Sequence, residues 1–277
     1  MRIARTLTEI ASESRELHAN RGRLALVPTM GALHDGHLAL IAAARTSGAA
    51  VAASIFVNPL QFGPQEDLAR YPRDEAGDLA KLAVAGCDLV WLPSVEVMYP
   101  AGDVTLVTVG GPSQGFEGAV RPGHFAGVAT VVAKLFGQTR CDLALFGAKD
   151  WQQVQVIRRM VADLCLNVAI ETVPTHREPS GLAMSSRNRF LTAAERAVAP
   201  ALYATLVGLA EVLRAGGDAA KACAAAETTL RSQGFGPDYL ALVDAESLLP
   251  ITRLGEGNRL LAAARLGSVR LLDNIEV

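Results

Sequence analysis

Short apolar runs alternate with longer amphipathic stretches along the chain up to Pro174. The runs are Leu24–Val27, Val51–Val57, Asp88–Leu92, Asp142–Phe146 and Val168–Val173. Continuous apolar runs of this length are typical of parallel strands that are covered on both faces. The intervening stretches have helical spacing and predict helices over Gly36–Thr46, Asp74–Ala85, Phe125–Gln138 and Asp150–Leu164. This alternation predicts an α/β domain with a doubly wound, Rossmann-like parallel sheet.

The pattern changes after Pro174. Thr192–Ala215 and Asp218–Ser232 are Ala-rich and predict two helices. Short strand-like segments follow at Tyr239–Val243, Arg259–Ala264 and Val269–Asp273, separated by Gly and Pro. Helices followed by strands predict a smaller α+β domain. We therefore predict one domain over 1–175 and a second, smaller domain over 176–277.

Composition and charge exclude several classes of protein. The 277 residues are half hydrophobic, carry a formal net charge of −2 and contain no Lys/Arg block, so neither a nucleic-acid nor a membrane-surface partner is predicted. The N-terminus lacks the apolar region of a secretory signal, and no apolar run reaches the ~18 residues of a membrane span, which predicts a cytoplasmic protein. The four cysteines are far apart and predict buried thiols rather than disulfides or a thiolate zinc site.

The most informative motif follows the first predicted strand, where PTMGALHDGH leads into a helix. A helix N-terminus offers unpaired N–H groups and partial positive charge, which suit a phosphate. His34 and His37, three residues apart, can stabilise charge on a transferring phosphate and its leaving group. Metal binding is an alternative, but zinc-binding histidines on a helix favour i, i+4 spacing, and no third ligand lies nearby.

Two later segments carry further polar groups. FGAKDWQQ at 146–153 also joins a predicted strand to a helix, with Lys149 suited to phosphate and Asp150 to ribose or to helix capping. GLAMSSRN at 181–188 is by itself more typical of a solvated loop, although its two hydroxyls and its arginine can surround phosphate oxygens. The chain has neither the P-loop motif nor the dinucleotide-binding glycine fingerprint.

These motifs resemble those of known nucleotide-using enzymes. The histidine motif with a later Ser-Ser-Arg loop resembles the nucleotidyltransferase superfamily, which includes class I aminoacyl-tRNA synthetases. A fuller ordered set resembles the pantothenate synthetase family over residues 23–190, and more loosely to the end of the chain. The set comprises PTMGALHDGH at 28–37, FVNPLQFG at 56–63, YPR at 71–73, RPGHFAGV at 121–128, FGAKDWQQ at 146–153 and GLAMSSRN at 181–188.

The resemblance implies a reaction, its participants and the roles of the two domains: residues 1–175 would be the catalytic domain that binds ATP and pantoate, and residues 176–277 a lid domain. ATP, (R)-pantoate and β-alanine would give pantothenate, AMP and pyrophosphate through a pantoyl-adenylate, with Mg²⁺ required and with metal ligands that the sequence does not identify. A homodimer is also implied. The reaction suits the residues, because a carboxylate nucleophile needs alignment and charge neutralisation at phosphorus rather than a general base.

The resemblance also implies roles for individual residues. His37, His34, Lys149 and Arg187 would act in catalysis, and Gln61 and Gln153 would bind pantoate, with Asn58 assisting. The ATP-binding residues would be Met30, Gly31, Ala32, Leu33, His34, Asp35, Gly36, His37, Gly147, Ala148, Lys149, Asp150, His176 through its backbone, Met184, Ser185, Ser186 and Arg187. The loop at 63–69 is a candidate lid, and Arg121 and His124 receive no role.

This sequence departs from the family pattern at Asp35 and Ala148, where Glu is commoner, and at His176, where an apolar residue is usual. None of these changes removes a phosphate-binding side chain.

Two alternative functions stay open at this stage. A cytidylyl- or adenylyltransferase would share the histidine motif but would not explain Gln61, Gln153 or the RPGHF segment. A non-catalytic nucleotide-binding module would not need paired histidines directed at phosphates. The products of the reaction distinguish these alternatives.

Overall fold

The computed structural model describes residues 1–64 and 66–277, and the chain divides into two compact units. The first unit comprises Met1–Gly147 and Gln152–Val173, and the second comprises Ala148–Trp151 and Pro174–Val277. Residues 148–151, which the sequence analysis placed in the first domain, thus belong to the second unit. Of the candidate lid loop at 63–69, Gln65 lies outside the described residues.

Parallel strands form the sheet of the first unit. They are β1 (Arg2–Ala4), β2 (Leu24–Thr29), β3 (Ala50–Ile55), β4 (Leu89–Trp91), β5 (Leu143–Gly147) and β6 (Ala169–Val173). Among the described residues the order is β1-β4-β3-β2-β5-β6, and each neighbouring pair is parallel. The sheet therefore extends from β2 in both directions, as the predicted doubly wound α/β class requires.

Helices cover both faces of this sheet. They are α1 (Leu7–Arg21), α2 (Asp35–Thr46), α3 (Glu75–Val84), α4 (Val95–Met98), α5 (Phe116–Val120), α6 (His124–Thr139) and α7 (Trp151–Asp163, whose first residue belongs to the second unit). Leu24 and Leu26 of β2 join a core with α1, α6 and α7, whereas Ala25 and Val27 join a separate core with α2 and α3. Burial on both faces explains why the strands are continuous apolar runs.

Two N-terminal elements were not predicted from the sequence. β1 has only three residues, and α1 buries only Ile10, Ser14 and Leu17 along its length. The apolar stripe of α1 is therefore too narrow to give a clear helical period. A capping box from Thr6 and Glu9 nevertheless begins the helix, and Gly22 in the left-handed region ends it.

The second unit combines helices with a small antiparallel sheet. Its elements are α8 (Ala193–Val198), α9 (Ala201–Arg214), α10 (Ala219–Ser232), β7 (Phe235–Asp244), β8 (Asn258–Leu266) and β9 (Val269–Glu276). In the described part of the chain these strands form one sheet of order β7-β8-β9. The predicted α+β class is confirmed, and all three strands are longer than predicted. The single helix predicted over Thr192–Ala215 is wrong, because Pro200 lacks the N–H that a continuous helix needs and instead begins α9.

The stretch Ala193–Arg214 has 22 residues and is long and apolar enough, by length and composition alone, to cross a membrane. The sequence analysis did not identify it. Within α9, Leu202, Leu206, Leu209 and Leu213 are buried in the core of the second unit at helical spacing. A packed helix passes the same test of length and composition, so this stretch is weak evidence for a membrane span.

The cysteines only partly follow the prediction of buried thiols. Cys87 and Cys141 are buried, and burial raises the pKa of the Cys87 thiol to about 11 and that of Cys141 to about 12. Cys223 is half-buried and Cys165 is exposed, so the prediction is wrong for Cys165.

Candidate active site

The junction between β2 and α2 lies at the point where the strand order of the first unit reverses. β2 has β3 on one side and β5 on the other, and β3 and β5 lead to opposite edges of the sheet. Open α/β sheets bind ligands outside the carboxyl ends of strands at such a point. Met30 to His37 follow the carboxyl end of β2, so the predicted ATP-binding segment of the first unit occupies this position.

His34 and His37 form a capping box at the start of α2. The Nδ1 atom of His34 accepts the N–H of Gly36 at 3.2 Å, and the Nδ1 atom of His37 accepts the N–H of His34 at 3.3 Å. Because an accepting ring nitrogen carries no proton, each neutral imidazole has its proton on Nε2. The ring centroids lie 4.1 Å apart. The backbone therefore sets both histidines as Nε2–H donors, side by side at a helix N-terminus.

The loop before His34 is held by a residue that the sequence analysis missed. Gly31 and Ala32 both have positive φ angles, of 80° and 52°. The buried carboxylate of Asp78 accepts the N–H of Ala32 at 2.7 Å and the N–H of Leu33 at 2.8 Å. The left-handed turn at Gly31 and Ala32 thereby directs two successive N–H groups, those of Ala32 and Leu33, to one anion.

Helix α3 supplies this support from two positions. Lys81, three residues after Asp78, donates from Nζ to the carbonyl of Leu33 at 2.7 Å. Asp78 and Leu82 are the buried residues of α3 and lie four positions apart on one face of the helix. A carboxylate therefore occupies a position where the helical pattern predicts an apolar side chain. That exception to the pattern is the signal from which Asp78 could have been found, because an acidic residue is almost never fully buried unless it is paired.

Gln61 lies at the end of a short 3₁₀ helix, Pro59–Gln61, with its side chain half-buried. Its Oε1 accepts from Asn58 Nδ2 at 3.0 Å, and its Nε2 donates to the Met30 sulfur at 3.3 Å. Gln61, which was predicted to bind pantoate, therefore lies next to Met30, which was predicted to bind ATP.

Asn58 is buried, and protein groups engage both ends of its amide. Nδ2 donates to Gln61 and to the carbonyl of Gly127, while Oδ1 accepts from the Tyr99 hydroxyl at 2.8 Å and the Leu60 N–H at 3.3 Å. Its geometry suits positioning of Gln61 better than direct binding of substrate.

Arg121 and His124, which received no role from the sequence, both hold the backbone of Gln61. His124 Nδ1 contacts the Gln61 carbonyl at 2.9 Å, and Arg121 Nη2 donates to the same oxygen at 3.3 Å. Arg121 also forms a two-point ion pair with Glu66, at 2.8 and 2.6 Å. Since Arg121 Nη1 lies 3.0 Å from His124 Nε2 and can only donate, His124 carries its proton on Nδ1.

His124 gives a testable pH dependence. Burial, reinforced by the Arg121 guanidinium, lowers the pKa of His124 from 6.5 to about 4. Between these pH values the unfolded imidazole binds a proton that the folded one does not, so the free energy of unfolding decreases as pH falls. We expect the loss to approach about 3 kcal/mol. Urea titrations between pH 7 and 4.5 should show a steeper decrease than for His124→Asn, and parallel curves for the two proteins would contradict this account.

Gly127 allows α6 to pack directly on the backbone that carries Gln61. A Cβ at this position would lie 2.5 Å from Leu60 C and 2.7 Å from Gln61 N. We expect Gly127→Ala to lower the free energy of unfolding by about 1–3 kcal/mol, because backbone atoms must move. Gly137→Ala is the matched control in the same helix, since a Cβ there has no neighbour within 4 Å. The control should raise stability by about 0.5–1 kcal/mol, and denaturant unfolding measures both. Equal effects would contradict the packing argument.

Gln153, a predicted pantoate residue, and its neighbour Gln152 differ in their surroundings. Gln152 is buried, and its amide binds the backbone of Pro112, Gln114, Gly115 and Glu117, so it orders that loop. Gln153, the predicted pantoate residue, is half-buried on α7 and makes no side-chain hydrogen bond within the described residues. The structure does not join Gln153 to Gln61 by a hydrogen bond.

In the second unit, the predicted nucleotide residues 148–150 form a 3₁₀ turn directly after Gly147, the last residue of β5. Lys149 is half-buried, Asp150 is exposed, and the Lys149 ammonium lies 3.4 Å from the Asp150 carboxylate. Their backbone is held by Asn274, whose Nδ2 donates to the carbonyls of Ala148 at 2.9 Å and Lys149 at 2.7 Å.

The other predicted nucleotide segment of the second unit is a tight hairpin followed by a 3₁₀ turn, Ser186–Phe190. The Met184 N–H donates to the His176 carbonyl at 3.0 Å, and Arg177 and Ala183 form a β-bridge. The His176 carbonyl thus accepts one hydrogen bond within the hairpin, and a carbonyl oxygen can accept a second. Ser185 begins the turn by accepting the Arg187 N–H at 3.3 Å, so Met184, Ser185, Ser186 and Arg187 lie together.

The residues of the structure do not form a dedicated metal centre. Residues 1–64 and 66–277 contain no group of three or more His, Cys, Asp or Glu side chains that could hold a metal ion. The paired histidines alone do not suffice, because protein zinc sites use three or four ligands.

Comparisons with known proteins agree on one family. The family model described as pantoate-beta-alanine ligase matches residues 2–276. A pantothenate synthetase of Granulibacter bethesdensis is 58% identical over 277 residues, which are 99% of this chain and 96% of the relative.

Solved structures give the same result. The crystal structure of pantothenate synthetase from Thermus thermophilus has a TM-score of 0.94 and 50% identity, covering 100% of this chain and 99% of that one. The crystal structure of pantoate-beta-alanine ligase from Francisella tularensis, complexed with beta-gamma ATP and β-alanine, has a TM-score of 0.81 and 34% identity, covering 99% and 97%. On the family match, the sequence identity and these structures, the chain belongs to the pantoate–β-alanine ligase family.

Proposed function

We propose that the chain condenses (R)-pantoate with β-alanine at the expense of ATP, releasing AMP and pyrophosphate, with a pantoyl-adenylate as the intermediate. Membership of the ligase family and the relatives' names support the overall reaction. The Francisella tularensis relative, complexed with beta-gamma ATP and β-alanine, supports two of the substrates.

The observation that carries the chemistry is the histidine capping box at the start of α2. Its hydrogen bonds make both imidazoles Nε2–H donors at a helix N-terminus. A phosphoryl centre that is being displaced develops charge on its oxygens, and preorganised donors stabilise that charge. We assign His37 to this stabilisation at the α-phosphate, with His34 contacting the neighbouring phosphates.

In the first step, a pantoate carboxylate oxygen attacks the α-phosphorus, and the bond to the bridging oxygen of pyrophosphate breaks. Both the nucleophile and the leaving group are anions already, so no base is needed. We assign Gln61 and Gln153 to pantoate, because each amide donates to one oxygen and accepts from a hydroxyl. The network of Asn58, Arg121 and His124 around Gln61 supports a fixed orientation for the first of these amides.

In the second step, the neutral amine of β-alanine attacks the acyl carbon, and AMP leaves with the oxygen that joined the two groups. The nitrogen loses one proton to water as the amide forms. The same donors that stabilise charge on the α-phosphate stabilise the departing AMP.

We assign Gly147 to Asp150 and His176 to ribose, phosphate and adenine contacts, and Met184 to Arg187 to the triphosphate. Lys149 and Arg187 would supply positive charge, and Ser185 and Ser186 would supply hydroxyl donors. An arginine is suited to phosphate because its planar N–H groups bind two oxygens at once.

Mg²⁺ is proposed to accompany ATP and to be held mainly by phosphate oxygens and water, in keeping with its usual coordination. The proposals of a homodimer and of a cytoplasmic location both rest on the family resemblance.

A product assay tests the proposed function. Purified protein is incubated with ATP, Mg²⁺ and (R)-pantoate, with and without β-alanine, and the products are separated. We expect pantothenate and AMP only when all components are present. A stable nucleotidyl conjugate would indicate a nucleotidyltransferase instead, and absence of turnover in folded protein would favour a binding module.

A further inference from the structure

Asn274 of β9 is a buried amide whose polar atoms are all engaged in the second unit. It is 4% exposed, and its Nδ2 makes the two hydrogen bonds to the carbonyls of Ala148 and Lys149. Its Oδ1 accepts from Arg259 Nη1 at 2.6 Å. A single NH₂ group therefore binds two successive carbonyls, and this fixes the peptide planes on both sides of Lys149's α-carbon.

Arg259 and Trp151 hold the other end of the same segment. The Arg259 guanidinium lies 3.8 Å from the centroid of the Trp151 ring. The Trp151 Nε1 donates to the carbonyl of Ala245 at 2.7 Å. Residues 148–151 are thus attached to the β7–β9 sheet by Asn274, Arg259 and the backbone after β7, which explains why they belong to the second unit.

Asp273, the preceding residue, holds the second nucleotide segment. Its carboxylate is buried and accepts two hydrogen bonds from the Arg177 guanidinium, at 2.6 and 2.8 Å. Arg177 also donates to the Gly181 carbonyl at 3.1 Å and lies 3.7 Å from the centroid of the Tyr203 ring. Asp273 therefore fixes the hairpin that leads directly into Met184–Arg187.

The two residues act from opposite sides of one strand. Asp273 pairs with Ala262 and Asn274 with Leu261 in the register of β8 and β9, and successive side chains of a strand face opposite sides. An Asp273 oxygen also accepts the Asn274 N–H at 2.8 Å. One rigid dipeptide thus sets the positions of two segments that are otherwise far apart in the sequence.

We propose that Asp273 and Asn274 are positioning residues for the reaction, acting through Lys149 and through the Met184–Arg187 segment. The inference rests on the proposed function in taking those segments to bind ATP. Misplacing a charged group by about 1 Å can cost about 100-fold in rate, so hydrogen bonds of this kind affect catalysis without contacting a substrate.

The first test replaces the amide without changing its shape. Asn274→Asp keeps an acceptor for Arg259 but presents an oxygen, instead of two N–H groups, to the carbonyls of Ala148 and Lys149. We expect kcat/KM for ATP to fall about 10- to 100-fold, while KM for pantoate changes less than about twofold. Asn274→Ala, which removes the amide without adding charge, should give a similar loss.

Asn258→Ala is the matched control. Asn258 is a similarly buried asparagine, 5% exposed, on the adjacent strand β8, and among the described residues its side chain binds only the turn at Gly255 and Glu256. It should lower thermal stability as much as Asn274→Ala while leaving kcat/KM for ATP within about twofold. Equal losses of kcat/KM in the two variants would reduce the role of Asn274 to general stability and overturn the proposal.

A double-mutant cycle provides the readout that a merely structural role would not change. If Asn274 acts through the position of Lys149, Asn274→Asp should have little further effect on kcat/KM in a Lys149→Ala background. Asp273→Asn should likewise have little further effect on kcat/KM in an Arg187→Ala background. Asp238→Asn is the control for this cycle, because it disrupts the ion pair with Arg270 in the same sheet. Full additivity in both cycles would overturn the proposal.

Binding of ATP in the absence of pantoate separates this inference from the proposed reaction. If the wild-type protein binds ATP in calorimetry but forms no pantothenate, the proposed reaction fails. The positioning role can still be tested in that case, because it requires that Asn274→Asp bind ATP more weakly than Asn258→Ala. If ATP does not bind at all, or binds equally to both variants, the positioning role fails as well.

Discussion

Replacing His37 with alanine is expected to lower kcat for pantoyl-adenylate formation by about 100- to 1,000-fold, while the Kd for ATP changes by less than about threefold. In the proposed function, the donor that is lost acts on a phosphoryl group whose oxygens gain charge only as the bond to pyrophosphate breaks. A donor used mainly in the transition state affects kcat more than ground-state binding. Pyrophosphate release in single-turnover experiments, together with ATP calorimetry, measures the two quantities separately.

His37→Asn distinguishes catalysis from capping. In the wild-type protein His37 Nδ1 accepts the N–H of His34, and an asparagine Oδ1 can take over that hydrogen bond. The variant keeps the helix start and loses the Nε2–H donor, so we expect it to be as slow as His37→Ala but more stable. His18→Ala, at a histidine that binds Asp142 and the Ser14 carbonyl, is the control and should keep wild-type kcat. Equal losses of ATP binding and of kcat in His37→Asn would exclude a transition-state role.

Asp78→Asn is expected to reduce both stability and activity, although its side chain contacts only the protein. The carboxylate accepts hydrogen bonds from two backbone N–H groups, those of Ala32 and Leu33. The amide of asparagine has only one oxygen, so its NH₂ group must face one of these two N–H groups. We expect the free energy of unfolding to fall by about 1–3 kcal/mol, because one buried donor loses its acceptor. The loop of Gly31 to Leu33 leads directly to His34, so kcat should fall about 10- to 100-fold as well.

Asp74→Asn controls for the general effect of removing a carboxylate from α3. Asp74 is exposed and caps this helix by accepting the Gly77 N–H at 3.0 Å, a role that asparagine fills equally well. Its variant should stay within about 0.5 kcal/mol of the wild-type free energy of unfolding and keep wild-type kcat. If Asp78→Asn is destabilised but fully active once folded, the loop geometry is not linked to the histidines as we argue.

The sequence was sufficient to predict the architecture because its physical signals are local. The strands of the first unit are buried on both faces and read as continuous apolar runs, and the histidine motif at the end of β2 is contiguous. The capping geometry of His34 and His37 follows from their separation by three residues, which places both at the first turn of α2.

The supports of the site could not be predicted, because they depend on residues that meet only in the folded chain. Asp78 lies 45 residues from Leu33, and Asn274 lies 125 residues from Lys149. Neither Asp78 nor Asn274 belongs to a recognisable motif in the sequence. Each is important because it is buried beside backbone groups that have no hydrogen-bond partner within their own segment. The assignment of residues 148–151 to the second unit has the same cause, since those contacts come from β8, from β9 and from the residue that follows β7.

The central claim, that a carboxylate attacks the α-phosphorus of ATP, has a direct isotopic test. Pantoate labelled with ¹⁸O in its carboxylate is turned over with ATP and β-alanine, and the AMP is examined by mass spectrometry. The account predicts that one carboxylate oxygen appears in the phosphate of AMP, because that oxygen stays on phosphorus when the amine displaces it from carbon. Unlabelled AMP, with both labelled oxygens absent from its phosphate, would contradict an acyl-adenylate intermediate.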